Sequence, residues 1–181
     1  FVDNRNERGF NELRGYFIDE GGFLSSMDQP AEVSVLEQGP LFVKVAVKGK
    51  IGKYSFTQTI RLTQGEPRID MSVKLDWTGN PRIGEPGIEF RADNPRKSFY
   101  DDRYKLLVYL PIQIANQQIY KDAPFDVCES RLENTFFNRW DSIKHNIILN
   151  WVDVASKDNS CGLSLFTDHT TSYAHGKDFP L

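Results

Sequence analysis

Ile69-Asp70-Met71-Ser72-Val73-Lys74-Leu75-Asp76-Trp77 alternates apolar and polar residues without a break. Successive side chains of a strand point to opposite faces, so this stretch predicts a strand with an apolar row inward and a polar row outward. A helix would scatter the same residues around its axis. Upstream, the pattern repeats. Val33 and Val35 precede a Gly39-Pro40 break, and Val43, Val45 and Val47 form the next row. A turn is expected at 49–53, then a strand over Phe56–Leu62, then a break at Gly65-Glu66-Pro67. Four strands joined by short Gly- or Pro-containing connections predict an antiparallel meander.

Downstream the period is lost. Thr78–Arg103 carries three glycines, three prolines and many charges, and reads as a long loop with at most one short strand near Ile88–Arg91. Loops of this length tend to rim a site or pack on a partner domain. Tyr104–Ile112 is almost wholly apolar and predicts a strand covered on both faces. Further strands are expected at Ile114–Tyr120, Ile147–Val154, Leu163–Thr167 and Thr171–Ala174. Glu12–Asp19 is the nearest approach to a helical period, but its aromatics and flanking glycines suit a strand at least as well. About nine or ten strands without a helix imply an all-β fold, a large antiparallel β-sandwich forming one domain over residues 1–181.

The bulk composition excludes several classes. A net charge of −3 lacks the basic face a nucleic-acid binder needs. No run of about 18 apolar residues is present for a membrane span. Cys128 and Cys161 are too few for a disulfide framework and read as free, partly buried thiols. The chain starts at Phe1 and stops just after a turn expected at Gly176, so both ends read as domain cuts, with the sandwich truncated at its C-terminal end. The compartment stays open.

No catalytic constellation emerges from the residues. His169 and His175, with Asp168 and Asp178, form the densest set of candidate metal ligands, but their spacing matches no metal motif. Glycoside cleavage needs two carboxyls flanking the bond, and sequence cannot show that Asp126, Glu129 or Asp141 face one another. Lys121–Asp141 holds Asp126, Glu129, Arg131, Arg139, Trp140 and Asp141 among Phe125, Phe136 and Phe137. Aromatics stack on the apolar face of a sugar, and Asp, Glu and Arg hydrogen-bond its hydroxyls. The same composition suits a domain interface, so both readings stand.

Several blocks carry a resemblance. Asn11-Glu12-Leu13-Arg14-Gly15-Tyr16-Phe17, Tyr100–Lys105, Pro124–Arg131, Arg139-Trp140-Asp141-Ser142 and Gly162–Tyr173 are similar to stretches of bacterial α-mannosidase-like proteins of glycoside hydrolase family 38. The resemblance implies a large supersandwich resembling galactose mutarotase, in the C-terminal part of a multidomain enzyme. It implies a parent that hydrolyses terminal α-mannosides with retention. Zinc, nucleophile and acid/base would sit in an N-terminal catalytic domain, so no cofactor is expected here. The expected partners are that catalytic domain and a mannose-containing glycan. The compartment would be a bacterial periplasm or cytoplasm. Candidate substrate-binding residues are Asp126, Glu129, Arg131, Asp168, His169 and Tyr173, with no catalytic or metal residue. Two other readings compete with it: an autonomous carbohydrate-binding module, and a mutarotase-like epimerase using Glu129 with His169 as base and acid.

Overall fold

A computed structural model describes residues 8–84, 104–130 and 144–175, with side chains described for all but 144–146 and 174–175. The chain is all-β. Its sheets are antiparallel and open rather than closed into a barrel, as a β-sandwich requires, and no α-helix occurs among the described residues. Two compact units emerge, one over Asn11–Val108 and one over Phe1–Phe10 with Tyr109–Leu181.

In the first unit, β1 (Glu12–Phe17) pairs with β2 (Gly22–Ser25). The expected meander follows as β3 (Glu32–Gln38), β4 (Phe42–Ile51), β5 (Tyr54–Thr63) and β6 (Ile69–Asp76), in the order β3-β4-β5-β6. The register sets Leu75 opposite Phe56 and Val47 opposite Gln58 and Val33, so one face gathers nearly all the apolar residues and the other the Lys, Thr and Asp residues. Gln58 is the buried polar exception on the apolar face, and its side-chain Nε2 donates to the Asn11 carbonyl at 3.0 Å. Gly49 sits under the Phe56 ring, where a Cβ would come within 2.8 Å of two ring atoms.

The apolar row is not buried along its whole length. Ile51, Tyr54 and Phe56 pack with Leu13 and Phe17 into a core. Phe17 stacks on Tyr54 with ring centroids 5.3 Å apart. Toward the far end of the same face Ile69 is 51% exposed and Leu62 and Met71 are exposed as well, and on the edge strands β3 and β6 the exposure reaches Val33, at 66%, and Val73. The period gives the face its composition; what covers it depends on other parts of the molecule. The long segment after Trp77 begins as pairing, since Ile83 bridges Phe17 and the Gly84 amide donates to the Tyr16 carbonyl. The strand expected at Ile88–Arg91 lies outside the described residues.

Tyr104–Ile112 yields only a short β7 (Leu107–Tyr109), which completes the sheet β2-β1-β7. Leu110 and Ile112 are nonetheless buried, as is Ile114 just past the run, so core is supplied here from outside the regular strands. The second unit then holds β8 (Gln117–Ala123), β9 (Asp126–Glu129), β10 (Lys144–Ile148), β11 (Trp151–Ser156), β12 (Gly162–Phe166) and β13 (Thr171–His175). Four of them form the sheet β12-β11-β8-β9, and β10 pairs with β13. The strand expected over Ile147–Val154 is therefore two strands. A corner at Leu149-Asn150 divides them, and the Asp122 carboxylate accepts from the Leu149 and Trp151 amides and from the Asn150 side chain. One face of the four-stranded sheet is closed. Ile119, Val152 and Val154 pack with Ile112, Ile114, Ile148 and Tyr173, each such burial contributing about 1.5–3 kcal/mol relative to exposure. Cys128 and Cys161 are free thiols; Cys128 is half-buried, while Cys161 is exposed rather than tucked into the core.

Candidate functional site

The second unit collects most of the residues that sequence singles out. The register of its sheet fixes which side chains share the face opposite the core. One row across the sheet reads Phe166, Trp151, Asp122 and Val127. The next reads Ser164, Asp153, Tyr120 and Glu129. Three inter-strand steps separate the ends of each row, roughly 14 Å.

The first row lies at the end of the sheet where three connections meet. There the Asn150 corner leads into β11, and the Thr167 amide donates to the Asn150 carbonyl at 2.8 Å, which brings the exit of β12 alongside. Asp168 and His169 follow directly. Their side chains are exposed, and the His169 ring hydrogen-bonds the Asp168 carboxylate. That bond holds the Asp168 carboxyl below its ordinary range, with the attraction of the His169 ring acting the same way.

At the same end, β8 turns into β9 through Pro124 and Phe125. Proline fixes φ near −65°, and Phe125 has φ of 68°, the pattern of a type II turn whose third position ordinarily takes Gly or Asn. For a bulky residue this backbone region costs roughly 1–2 kcal/mol. The Phe125 ring is fully exposed and gains no packing in return. Asp126 opens β9, exposed, with its carboxylate accepting from the Val127 amide at 2.7 Å.

Asp126, Asp168 and His169 thus share one end of the sheet. Glu129 lies two residues further along β9, in the second row. Tyr173 lies on the other side, in the core, where burial pushes its phenol up to about 12 against the opposing effect of a hydrogen bond with Ser130. Arg131 is outside the described residues. Glu129 and His169 belong to opposite edges of the sheet, so they cannot act as base and acid on one sugar ring.

Sequence reading missed Trp151, Phe166 and Asp122. Their signal is the cross-strand register, which exists only once the strands are paired. Asp122 is held below the usual carboxylate range: desolvation raises it, but hydrogen bonds from Asn150, Trp151 and Leu149 outweigh that.

The family model of the glycosyl hydrolases family 38 C-terminal domain matches residues 16–178. The chain belongs to that family. Searches of curated proteins and of solved structures gave no significant match. Some of the quoted blocks now have structural work in this family 38 domain. Gly15 allows β1 to approach residues 105 and 106, where a Cβ would come within 3.2 Å of backbone. The Glu12 carboxylate accepts from the Ser25 hydroxyl at 2.6 Å within the packed entry to β1. The block from Gly162 builds β12, the Asp168-His169 turn and β13. Arg139–Ser142 lies outside the described residues. Among the described residues no group of three or more His, Cys, Asp or Glu side chains is placed to hold a metal ion.

Proposed function

We propose that this domain is the non-catalytic C-terminal β region of a retaining α-mannosidase, packed on a zinc-holding catalytic domain in the same polypeptide. The match over residues 16–178 carries this reading. Two observations support it. The open apolar end of the meander is the kind of surface that a neighbouring layer covers, because exposed apolar patches on soluble proteins mark interaction sites. And the end of the sheet bearing Asp126, Asp168 and His169 presents hydrogen-bonding groups suited to the rim of a sugar pocket, with no nucleophile and acid pair among them.

The test compares the 181-residue chain with the longer protein encoded around it, using an aryl α-mannoside. Hydrolysis is expected only from the longer protein, with zinc bound upstream of Phe1. Turnover by the isolated chain, or one zinc per isolated chain, would sink the reading.

A further inference from the structure

We propose that the outward face of the β12-β11-β8-β9 sheet, from Phe166 across Trp151 to the Pro124-Phe125 turn, is a binding strip for a neutral oligosaccharide. The first argument is that these aromatics are not a core awaiting cover. The opposite face of the sheet already packs Ile119, Val152 and Val154 into a closed cluster. Phe166 is nevertheless 71% exposed and Phe125 wholly so.

The second argument is the state of the rings. In the first unit, Tyr16, Phe23 and Tyr104 pack on one another at centroid distances of 5.2–5.3 Å, which uses up their faces. No ring pair among the described residues involves Phe125, Trp151 or Phe166. The exposed rings of Phe125 and Phe166 remain available to the apolar C–H surface of a pyranose, with the half-buried Trp151 between them.

The third argument selects the ligand. The two rows hold Asp122, Asp153 and Glu129 and no Lys or Arg. Phosphates and nucleic acids would be repelled. A protein partner laid flat on this face would strip water from the Asp153 carboxylate and would need a matching cation. Sugar hydroxyls donate to carboxylates without that requirement. Asp153 already accepts from the Ser164 hydroxyl, so its acceptance of an alcohol is part of the resting structure. The strip, roughly 14 Å across, has room for more than one ring.

The fourth is the turn. A strained φ at a bulky residue persists where something other than stability keeps it. Replacing Phe125 by Gly would relieve the backbone and remove the ring together.

The face itself is independent of the mannosidase reading; only the choice of mannose as first probe rests on it. The experiment is an NMR titration of the 181-residue chain with α-linked mannotriose, alongside maltotriose and cellotriose, to high sugar concentration. Shifts are expected at the amides of Trp151, Phe166 and 124–127. Phe166→Ala and Phe125→Gly should each weaken binding about tenfold with the fold intact. Leu41→Ala, equally exposed in the other unit, should not. Binding of maltotriose or cellotriose without mannotriose keeps the strip and counts against the mannoside parent. Absence of shifts with all three sugars, or unchanged affinity in both aromatic variants, overturns the proposal.

Discussion

The meander β3-β4-β5-β6 and the sheet β12-β11-β8-β9 are both four-stranded and antiparallel, yet they expose opposite kinds of surface. The meander sorts its residues cleanly and leaves half of its apolar face open. The second sheet closes its apolar face and mixes aromatics with carboxylates on the outer one. Exposure of apolar side chains thus carries two meanings in one chain. On the meander it continues the apolar row of a face whose other end is core. On the second sheet it marks rings presented although the core is complete.

Core truncation should break the symmetry most strongly. Ile119→Ala, on the closed face, is expected to cost about 3 kcal/mol in urea unfolding. Ile69→Ala, on the open face, should cost under about 1 kcal/mol in the isolated chain. Equal losses would show that the meander face is covered within this chain. In a protein that also carries the proposed catalytic domain, the Ile69 cost should rise toward that of Ile119, which turns the pair into a test of docking.

Phe125→Gly should change stability in the other direction. Release from the left-handed region is expected to add about 1 kcal/mol, less the entropy that Gly gains in the unfolded chain, read as a raised Tm. A lowered Tm would mean that the exposed ring packs on something.

The smallest effect concerns acid. Hydrogen bonds from the Ser156 hydroxyl, the Ser160 amide and the Ser160 hydroxyl hold the Asp158 carboxyl down at about 2, in the turn joining β11 to β12. A depressed folded pKa stabilises above the unfolded value, near 3.8, and that contribution is lost as pH falls toward 2. Asp158→Asn should therefore flatten the stability profile between about pH 4 and pH 2 and leave neutral pH nearly unchanged apart from the lost hydrogen bonds. An NMR titration midpoint near 4 for Asp158 would remove this prediction.

How far sequence could reach differs between the two sheets for the same reason. In the meander, Ile69–Asp76 shows its period directly and its partners are sequence neighbours, so strands, order and faces were all legible. In the second unit β11 pairs with β8, more than thirty positions away, and β10 with β13. Local pattern then misplaces edges: the apolar run over residues 104–112 gives a strand of only three residues with its buried part just beyond it, and the corner at Asn150 depends on a carboxylate supplied by Asp122. The site shows the same split. Asp126, Asp168 and His169 were visible as polar residues in aromatic company. Trp151 and Phe166 became neighbours only through pairing.

One consequence of the φ of 68° at Phe125 concerns anyone who redesigns this domain. A procedure that scores only thermostability would replace Phe125 with Gly among its first choices, because the turn geometry asks for it. The product would melt later and look improved. If the ring is the ligand's stacking surface, that same substitution would silently delete a recognition element, and no stability measurement would report the loss.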